Sequence, residues 1–308
     1  MLAVLGGLGA AVAWAISTLC SSRSTRMMEP MAVVGLIMVV GLVITAPIAA
    51  AQGVPSFDAE SLTWLVISGA GNVGGLVLAY NALRIGQVAL VAPLISTEGA
   101  IAATISLLAG ESLAPGVGLA LALVAVGVCL SSVPESAEGE RRLVHDQPGS
   151  VLFAVAAALV FGASLYATGR AGTTLPSTWV VLSARLIGTV VLAIPLALAG
   201  RLRVVRRAIP LVVVAGICEV LGFYSYTAGA RHGIAVAAVL ASQFATIAAV
   251  TAYFLFRERL NRVQLAGVSS VIVGVALLSA LRACRAARAL LAARRRPRRA
   301  ARPDRPAG

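Results

Sequence analysis

Ten long apolar stretches, separated by short polar segments, dominate the pattern of hydrophobic and polar positions along the chain. A helix needs about 20 apolar residues to cross the hydrocarbon layer of a bilayer, where every backbone polar group must be paired within the helix. The stretches are close to that length, so each predicts one membrane-crossing helix. They cover residues 1–22, 31–54, 62–83, 86–109, 113–133, 150–169, 176–199, 208–230, 233–256 and 263–281.

The segments between these stretches carry turn signals. Pro30, Pro55, Pro176 and Pro210 each lie at a boundary, in Glu29-Pro30, Gln52-Gly53-Val54-Pro55, Leu175-Pro176 and Ala208-Ile209-Pro210. The first stretch lacks a basic residue before Leu2 and exceeds the apolar core of a signal peptide, so it is interpreted as the first helix.

The chain contains an internal duplication with a constant interval of 147 residues and no gap. The interval joins glycines, acids and hydroxyl residues in both halves, namely Gly86 to Gly233, Glu111 to Glu258, Gly127 to Gly274, Gly69 to Gly216, Gly75 to Gly222, Gly41 to Gly188, Thr104 to Thr251 and Ser17 to Ser164. Each repeat holds five predicted helices, and an odd number makes the second repeat enter the membrane from the opposite side.

The predicted fold is therefore an all-α integral membrane protein with ten transmembrane helices arranged as two inverted five-helix repeats. The first repeat covers residues 1–133 and the second covers 150–281, with a polar linker at 134–149 and an Arg-rich tail at 282–308 that is expected to be disordered. Inverted repeats place a substrate site near the bilayer midplane in many secondary transporters.

Composition supports a membrane protein, because 59% of the residues are hydrophobic, 12% are charged and the mean hydropathy is +0.94. The formal net charge is +13. Ten arginines and Asp304 give the tail +9 of this total. The tail is expected to lie on anionic lipid if it is cytoplasmic, and no nucleic-acid partner is expected because no folded module accompanies the charge.

The arginines do not decide the orientation. With a cytoplasmic N-terminus, the tail is inside, but the short inner loops hold only Arg170 and Arg231 whereas the short outer loops hold twelve arginines. Short loops carry most weight in the positive-inside rule, so the loops and the tail favour opposite orientations.

Three charged residues fall inside predicted helices: Glu98, Arg185 and Glu219. A charge at such a depth is costly, so it is expected to be paired or to face water. Asn72 and Gln243 lie at a similar level, and the repeat interval relates Asn72 to Glu219. These polar residues predict a site at the interface of the repeats.

Helical spacing extends two faces toward this site. Asn72 and Tyr80 share a face of the third segment, and Glu219 and Tyr226 share the equivalent face of the eighth. Arg185 is interpreted either as a purely structural partner of one acid or as the counter-charge of a functional site. Two acids and one Arg leave one carboxylate without a fixed partner, which favours the functional alternative and coupling to protons.

Glu111 and Glu258 end the fourth and ninth segments at equivalent positions, and we expect each to cap the N-terminus of the next helix. No P-loop, GxSxG, HExxH or paired acidic metal motif is present, and the four cysteines are isolated. The sequence therefore predicts neither an enzyme nor a bound cofactor or metal.

Two stretches resemble the EamA-type members of the drug/metabolite transporter superfamily. The first runs from Gly86-Gln87-Val88-Ala89-Leu90-Val91-Ala92-Pro93 to Gly110-Glu111-Ser112-Leu113, and the second from Gly233-Ile234-Ala235-Val236 to Glu258-Arg259-Leu260. The resemblance extends to about Leu281. The chain departs from the family pattern in Trp14-Ala15, in Glu98 and Ala245 where a Pro is frequent, and in Arg257 where a Gly is usual.

The resemblance implies secondary transport of small metabolites, often as export, in a cell membrane, with both termini cytoplasmic. We therefore expect a proton-coupled transporter of a small metabolite or drug-like compound, with Glu98, Glu219, Arg185, Asn72, Tyr80, Tyr226 and Gln243 at the site. A flippase for lipid or lipid-linked sugar and a membrane scaffold or sensor that uses the tail are the alternatives. The sequence predicts no oligomeric state.

Overall fold

The computed structural model describes residues 1–85, 91, 94–113, 116–131, 148–256 and 262–295, and these residues form helices and turns without a strand. The all-α prediction is confirmed for this part of the chain. The helices are α1 (Leu2–Ser24), α2 (Pro30–Gln52), α3 (Ala59–Ile85), α4 (Glu98–Leu108), α5 (Val117–Ser131), α6 (Pro148–Thr174), α7 (Ser177–Leu198), α8 (Ile209–Ala230), α9 (Ile234–Ala241), α10 (Phe244–Phe256) and α11 (Arg262–Arg295).

Six helices in the described part are long and apolar enough to cross a membrane: α1, α2, α3, α6, α7 and α8. They coincide with the first three predicted segments of each repeat. The other four segments contain only shorter apolar helical spans, at Glu98–Leu108 in α4, Val117–Leu130 in α5, Ile234–Ala248 across α9 and α10, and Leu265–Leu277 within α11. A count of ten crossings therefore stays a prediction.

The fourth and ninth predicted segments contain a turn near their centres. Residues 91, 94 and 95 are helical before the turn at Ser96 and Thr97, after which α4 begins. In the second repeat the turn at Ser242 and Gln243 separates α9 from α10. Each turn interrupts the regular helix in the middle of an apolar segment.

The most extensive helix packing joins helices of different repeats. The first helix of the first repeat, α1, packs along the third helix of the second repeat, α8. Reciprocally, α3 packs along α6, and α5 packs along α11. Each repeat thus covers its apolar faces largely with helices of the other repeat.

Several close contacts at glycines occur in pairs, and the 147-residue interval relates the two members of each pair. A side chain on Gly75 would overlap the ring of Phe161, and one on Gly222 would overlap the ring of Trp14; these ring positions are also 147 residues apart (161 − 14). Three further pairs of contacts repeat in this way, namely Gly69 to Ile187 with Gly216 to Val40, Gly41 to Arg185 with Gly188 to Met38, and Gly127 to Val271 with Gly274 to Val124. Small residues allow these close approaches.

Helix α11 continues to Arg295, so residues 282–295, predicted as part of a disordered tail, are helical. Residues 296–308 lie outside the described residues, as do 132–147, which include most of the predicted linker. The described chain resumes in α6 at Pro148.

Candidate functional site

Arg185 is a charged residue with almost no exposed surface, and the described residues contain no second charged residue that is buried to this extent. It lies on α7, whose other residues around this position are apolar or small. Gly41 of α2 makes room for it, because a Cβ there would lie 2.7 Å from Cδ of Arg185. The central group of the site is therefore a cation enclosed between α2 and α7.

The guanidinium of Arg185 contacts three different groups. Nη2 lies 3.3 Å from Oε2 of Glu219 on α8, and Nη1 donates to Sδ of Met38 at 3.2 Å. Its central carbon lies 4.8 Å from the ring centroid of Phe223, a cation–π distance. Nε has no hydrogen-bond partner, so one donor of this buried cation is unused.

Glu219 is more accessible than its partner. Its side chain is 26% exposed whereas that of Arg185 is 1% exposed. The hydroxyl of Ser17 on α1 donates to Oε1 at 3.4 Å, at the long end of hydrogen-bond distances. Within the ion pair, Glu219 is therefore the residue that water or a substrate can reach.

The second acid, Glu98, is the first residue of α4 and is half-buried. Within the described part of the chain, the Glu98 side chain has no hydrogen-bond or ion-pair partner. The structure therefore pairs two of the three predicted charged residues, Arg185 and Glu219, and leaves Glu98 as a separate acid.

Met38 is the residue at this site that the sequence analysis missed. It is the repeat counterpart of Arg185 (185 − 38 = 147), just as Asn72 is the counterpart of Glu219. Arg185 and Met38 contact each other across the two-fold relation of the repeats. The same interval that revealed the duplication could have identified Met38. The charged residues are thus present in one repeat, and uncharged residues occupy the equivalent positions in the other.

Asn72 and Tyr80 are half-buried on α3. Tyr80 packs beside the apolar cluster that contains Met38, Val34 and Leu192. Asn72 has no hydrogen bond in the part of the chain that the structure describes. Neither residue contacts Arg185 or Glu219 among the described interactions, so their lining role stays a prediction.

Tyr226 is fully buried, and its hydroxyl donates to the backbone oxygen of Leu165 at 2.8 Å. Its ring lies 6.2 Å from that of Trp14, which also packs against Phe223 and Phe244 at 5.1 and 6.4 Å. These aromatic side chains form one wall beside Arg185. The hydroxyl of Tyr226 is already used, so its contribution to this wall is its ring.

Gln243 occupies the turn between α9 and α10. It is 1% exposed, and its Nε2 donates to the backbone oxygen of Val239 at 2.9 Å. Its Oε1 has no partner, which leaves a buried acceptor at the break in the helix. Such an unpaired group is costly unless a ligand or water uses it.

Glu111 caps a helix, but a different one from the helix expected. Its Oε2 accepts from the backbone N–H of Ala235 at 3.0 Å and from the hydroxyl of Ser106. The acid therefore stabilises the N-terminus of α9 in the opposite repeat, whereas the sequence predicted the next helix along the chain. Glu258 lies outside the described residues.

Comparison with known proteins supplies a family and a fold. The sequence profile of the EamA-like transporter family matches residues 1–133 and 149–280. A solved structure described only as "Crystal structure of protein" has a TM-score of 0.74 and 19% sequence identity, covering 91% of this chain and 97% of its own. At that identity the likeness shows a shared fold. No curated protein matches the sequence.

Proposed function

The chain belongs to the EamA-like transporter family, and from this premise we propose that it carries a small metabolite across the membrane by alternating access, coupled to protons. Membership indicates a membrane transporter of the drug/metabolite type, with a small-molecule substrate and a lipid environment. The site around Arg185 supports the further steps of the proposal.

The observation that carries the proposal is the excess carboxylate. Arg185 is paired with Glu219 alone, and Glu98 is a second, half-buried acid that has no ion-pair partner among the described residues. A structural ion pair would need only one acid. Inside a membrane a carboxylate without a cation is costly, so it is expected to take up a proton or bind a cationic group of the substrate.

The position of the site supports alternating access. Residues from α1, α2, α7 and α8 meet at Arg185, so both repeats contribute to it. Broken helices and a site between repeats are typical of transporters in which one half rocks against the other. The turns before α4 and between α9 and α10 supply such breaks beside Glu98 and Gln243.

The substrate would meet two kinds of group at this site. Glu219 offers a partly exposed acceptor, and the wall of Trp14 and Phe223 offers an apolar face. This combination suits a small amphipathic metabolite that carries a polar group beside an apolar one. Asn72, Tyr80 and Gln243 are proposed as lining residues around it.

The test is flux in liposomes that contain the purified protein and are loaded with a labelled pool of cellular metabolites. We expect at least one compound to cross only with protein, and faster with an imposed pH gradient. Glu98→Gln should abolish the acceleration by the gradient, because it removes the unpaired acid and leaves the ion pair intact. Glu219→Gln should slow flux further, because it also removes the partner of Arg185.

Glu60→Gln is the matched control. Glu60 is an exposed acid that binds Arg170 at 3.1 Å, away from Arg185, so its loss should leave gradient-driven flux unchanged. Full gradient-driven flux in both Glu98→Gln and Glu219→Gln would exclude proton coupling through this site. Failure of any soluble compound to cross would argue against a soluble metabolite as the substrate.

A further inference from the structure

The end of the molecule where α1 and α7 end and α2 and α8 begin is rich in arginine. Arg23 and Arg26 lie on the α1 side, and Arg201, Arg203, Arg206 and Arg207 lie between α7 and α8. All six are exposed. Since these segments join membrane-crossing helices, the arginines lie at the level of the lipid headgroups.

An open cleft of about 460 Å³ lies at this end, and we name it the arginine cleft. Its lining includes Met28, Glu29, Arg201, Arg203 and Val205. Arg201 forms an ion pair with Glu29, whereas Arg203 has no ion-pair partner within the described part of the chain. The cleft therefore keeps one positive charge available for an anion.

An apolar groove of about 210 Å³ adjoins the cleft, and we name it the valine groove. It lies between α2 and α8, and its lining includes Met28, Val39, Val40, Val204 and Val213. Met28 lines both spaces, so the cleft and the groove are contiguous. The surface offered here thus changes from basic to wholly apolar over a short distance.

The depth of the groove matches one leaflet of a bilayer. Val40 lies ten residues into α2 from Pro30 (40 − 30), which is about 15 Å at 1.5 Å per residue. The hydrocarbon core of a bilayer is about 30 Å thick, so the groove extends from the headgroup level to about the midplane. Val204 and Val213 remain exposed along it, at 51% and 37%.

We propose that the arginine cleft and the valine groove together bind one anionic phospholipid. The phosphate lies against Arg203 and Arg201, and one acyl chain lies in the groove between α2 and α8. Arginine suits a phosphate because its planar guanidinium donates two parallel hydrogen bonds. Basic pockets at the ends of membrane helices bind anionic headgroups in this way. The inference does not depend on the transport proposal, since it concerns a separate surface.

The test is native mass spectrometry of the purified protein in detergent, titrated with phosphatidylglycerol or phosphatidylcholine that carry the same acyl chains. We expect phosphatidylglycerol to bind about fivefold more tightly, the factor expected for one arginine beside a headgroup with a net negative charge, because choline neutralises the phosphate of phosphatidylcholine. Arg203→Gln should remove this preference. Val213→Trp should weaken both lipids, because the indole fills the groove.

Glu29→Gln should increase the affinity for phosphatidylglycerol, and a folding defect would not produce such an increase. It releases Arg201 from its ion pair, so phosphatidylglycerol should bind more tightly than to the wild type. Arg206→Gln is the matched control, since it removes the same charge from the same segment outside the cleft lining. Its affinity should stay within about twofold of the wild type, because screened charges at a distance contribute little.

Three results would overturn the proposal. An equal loss in Arg206→Gln and Arg203→Gln would mean diffuse attraction to the basic end. Competition by glycerophosphoglycerol, the headgroup without chains, at the affinity of the lipid would mean a site for soluble phosphates. A dimer that Val213→Trp converts to a monomer would mean that a second copy of the chain covers the groove.

Discussion

At the scale of single residues, the guanidinium of Arg185 contacts groups of three chemical types. One carboxylate, one thioether and one aromatic face share a cation whose Nε has no partner. The counterpart positions in the first repeat, Met38 and Asn72, are uncharged.

This comparison predicts how the ion pair contributes to stability. Arg185→Met leaves Glu219 without its cation and should lower the free energy of unfolding by about 1–3 kcal/mol, a value reduced by the partial exposure of Glu219. Adding Glu219→Asn recreates the pair found in the first repeat. The double variant should recover to within about 1 kcal/mol of the wild type, although its gradient-driven flux should be lost.

Unfolding by titration with a denaturing detergent in mixed micelles measures these differences. The single variants Arg185→Met and Glu219→Asn complete the double-mutant cycle. A double variant less stable than either single one would show that the charged pair itself holds the helices together. Recovery of flux in the double variant would contradict a functional role for the charges.

At the scale of elements, the interruption of the ninth segment separates two helices with different surroundings. All eight residues of α9 are buried, and its N-terminus is capped by Glu111 from the other repeat. Gly233, with φ of 142°, provides the backbone conformation that begins this helix. The start of α9 is thus fixed by a contact between repeats.

Loss of this cap should be measurable. Glu111→Ala removes an acceptor from the N-terminus of α9 and should lower the free energy of unfolding by about 1–2 kcal/mol. Glu111→Gln should cost less, because an amide oxygen still accepts the hydrogen bond from Ala235. Detergent-induced unfolding is again the measurement.

Glu60→Ala provides the comparison for this cap, since it removes an exposed acid from a surface ion pair worth about 0–1 kcal/mol. If Glu111→Ala were no more destabilising than Glu60→Ala, the contact with Ala235 would contribute nothing to α9.

At the scale of the whole molecule, the two repeats depend on each other for burial. The longest helix interfaces, α1 with α8 and α3 with α6, cross from one repeat to the other. A single repeat would expose the faces that contain Gly6, Gly75, Gly222 and Gly229. We infer that the folding unit is the pair of repeats.

Expression of the chain in two pieces tests this inference. Residues 1–139 and 140–308 are separated within the predicted linker and should copurify as one complex when produced together, because the contacts between them do not need a continuous chain. The piece 1–139 produced alone should aggregate or be degraded. Affinity purification through a tag on one piece, followed by size-exclusion chromatography, measures the outcome. A stable, monomeric 1–139 piece would contradict the dependence of each repeat on the other.

The sequence by itself determined the features that depend on local composition and regular spacing. Apolar length predicted the six long helices to within a few residues at most boundaries, because a membrane-crossing helix must pair its backbone internally. The 147-residue interval predicted the duplication. Charge within apolar segments identified Glu98, Arg185 and Glu219 as candidate site residues, since such charges are costly there, and their role stays a prediction.

Only the tertiary structure decided which distant residues meet. The contact between Arg185 and Met38, the cap from Glu111 to Ala235 and the bond from Tyr226 to Leu165 each join segments 61 to 147 residues apart. No local pattern encodes such pairs, because they depend on which helices of the two repeats pack against each other. The turn at Ser242 and Gln243 is of the same kind, since two polar residues within an apolar segment do not by themselves indicate a break in the helix.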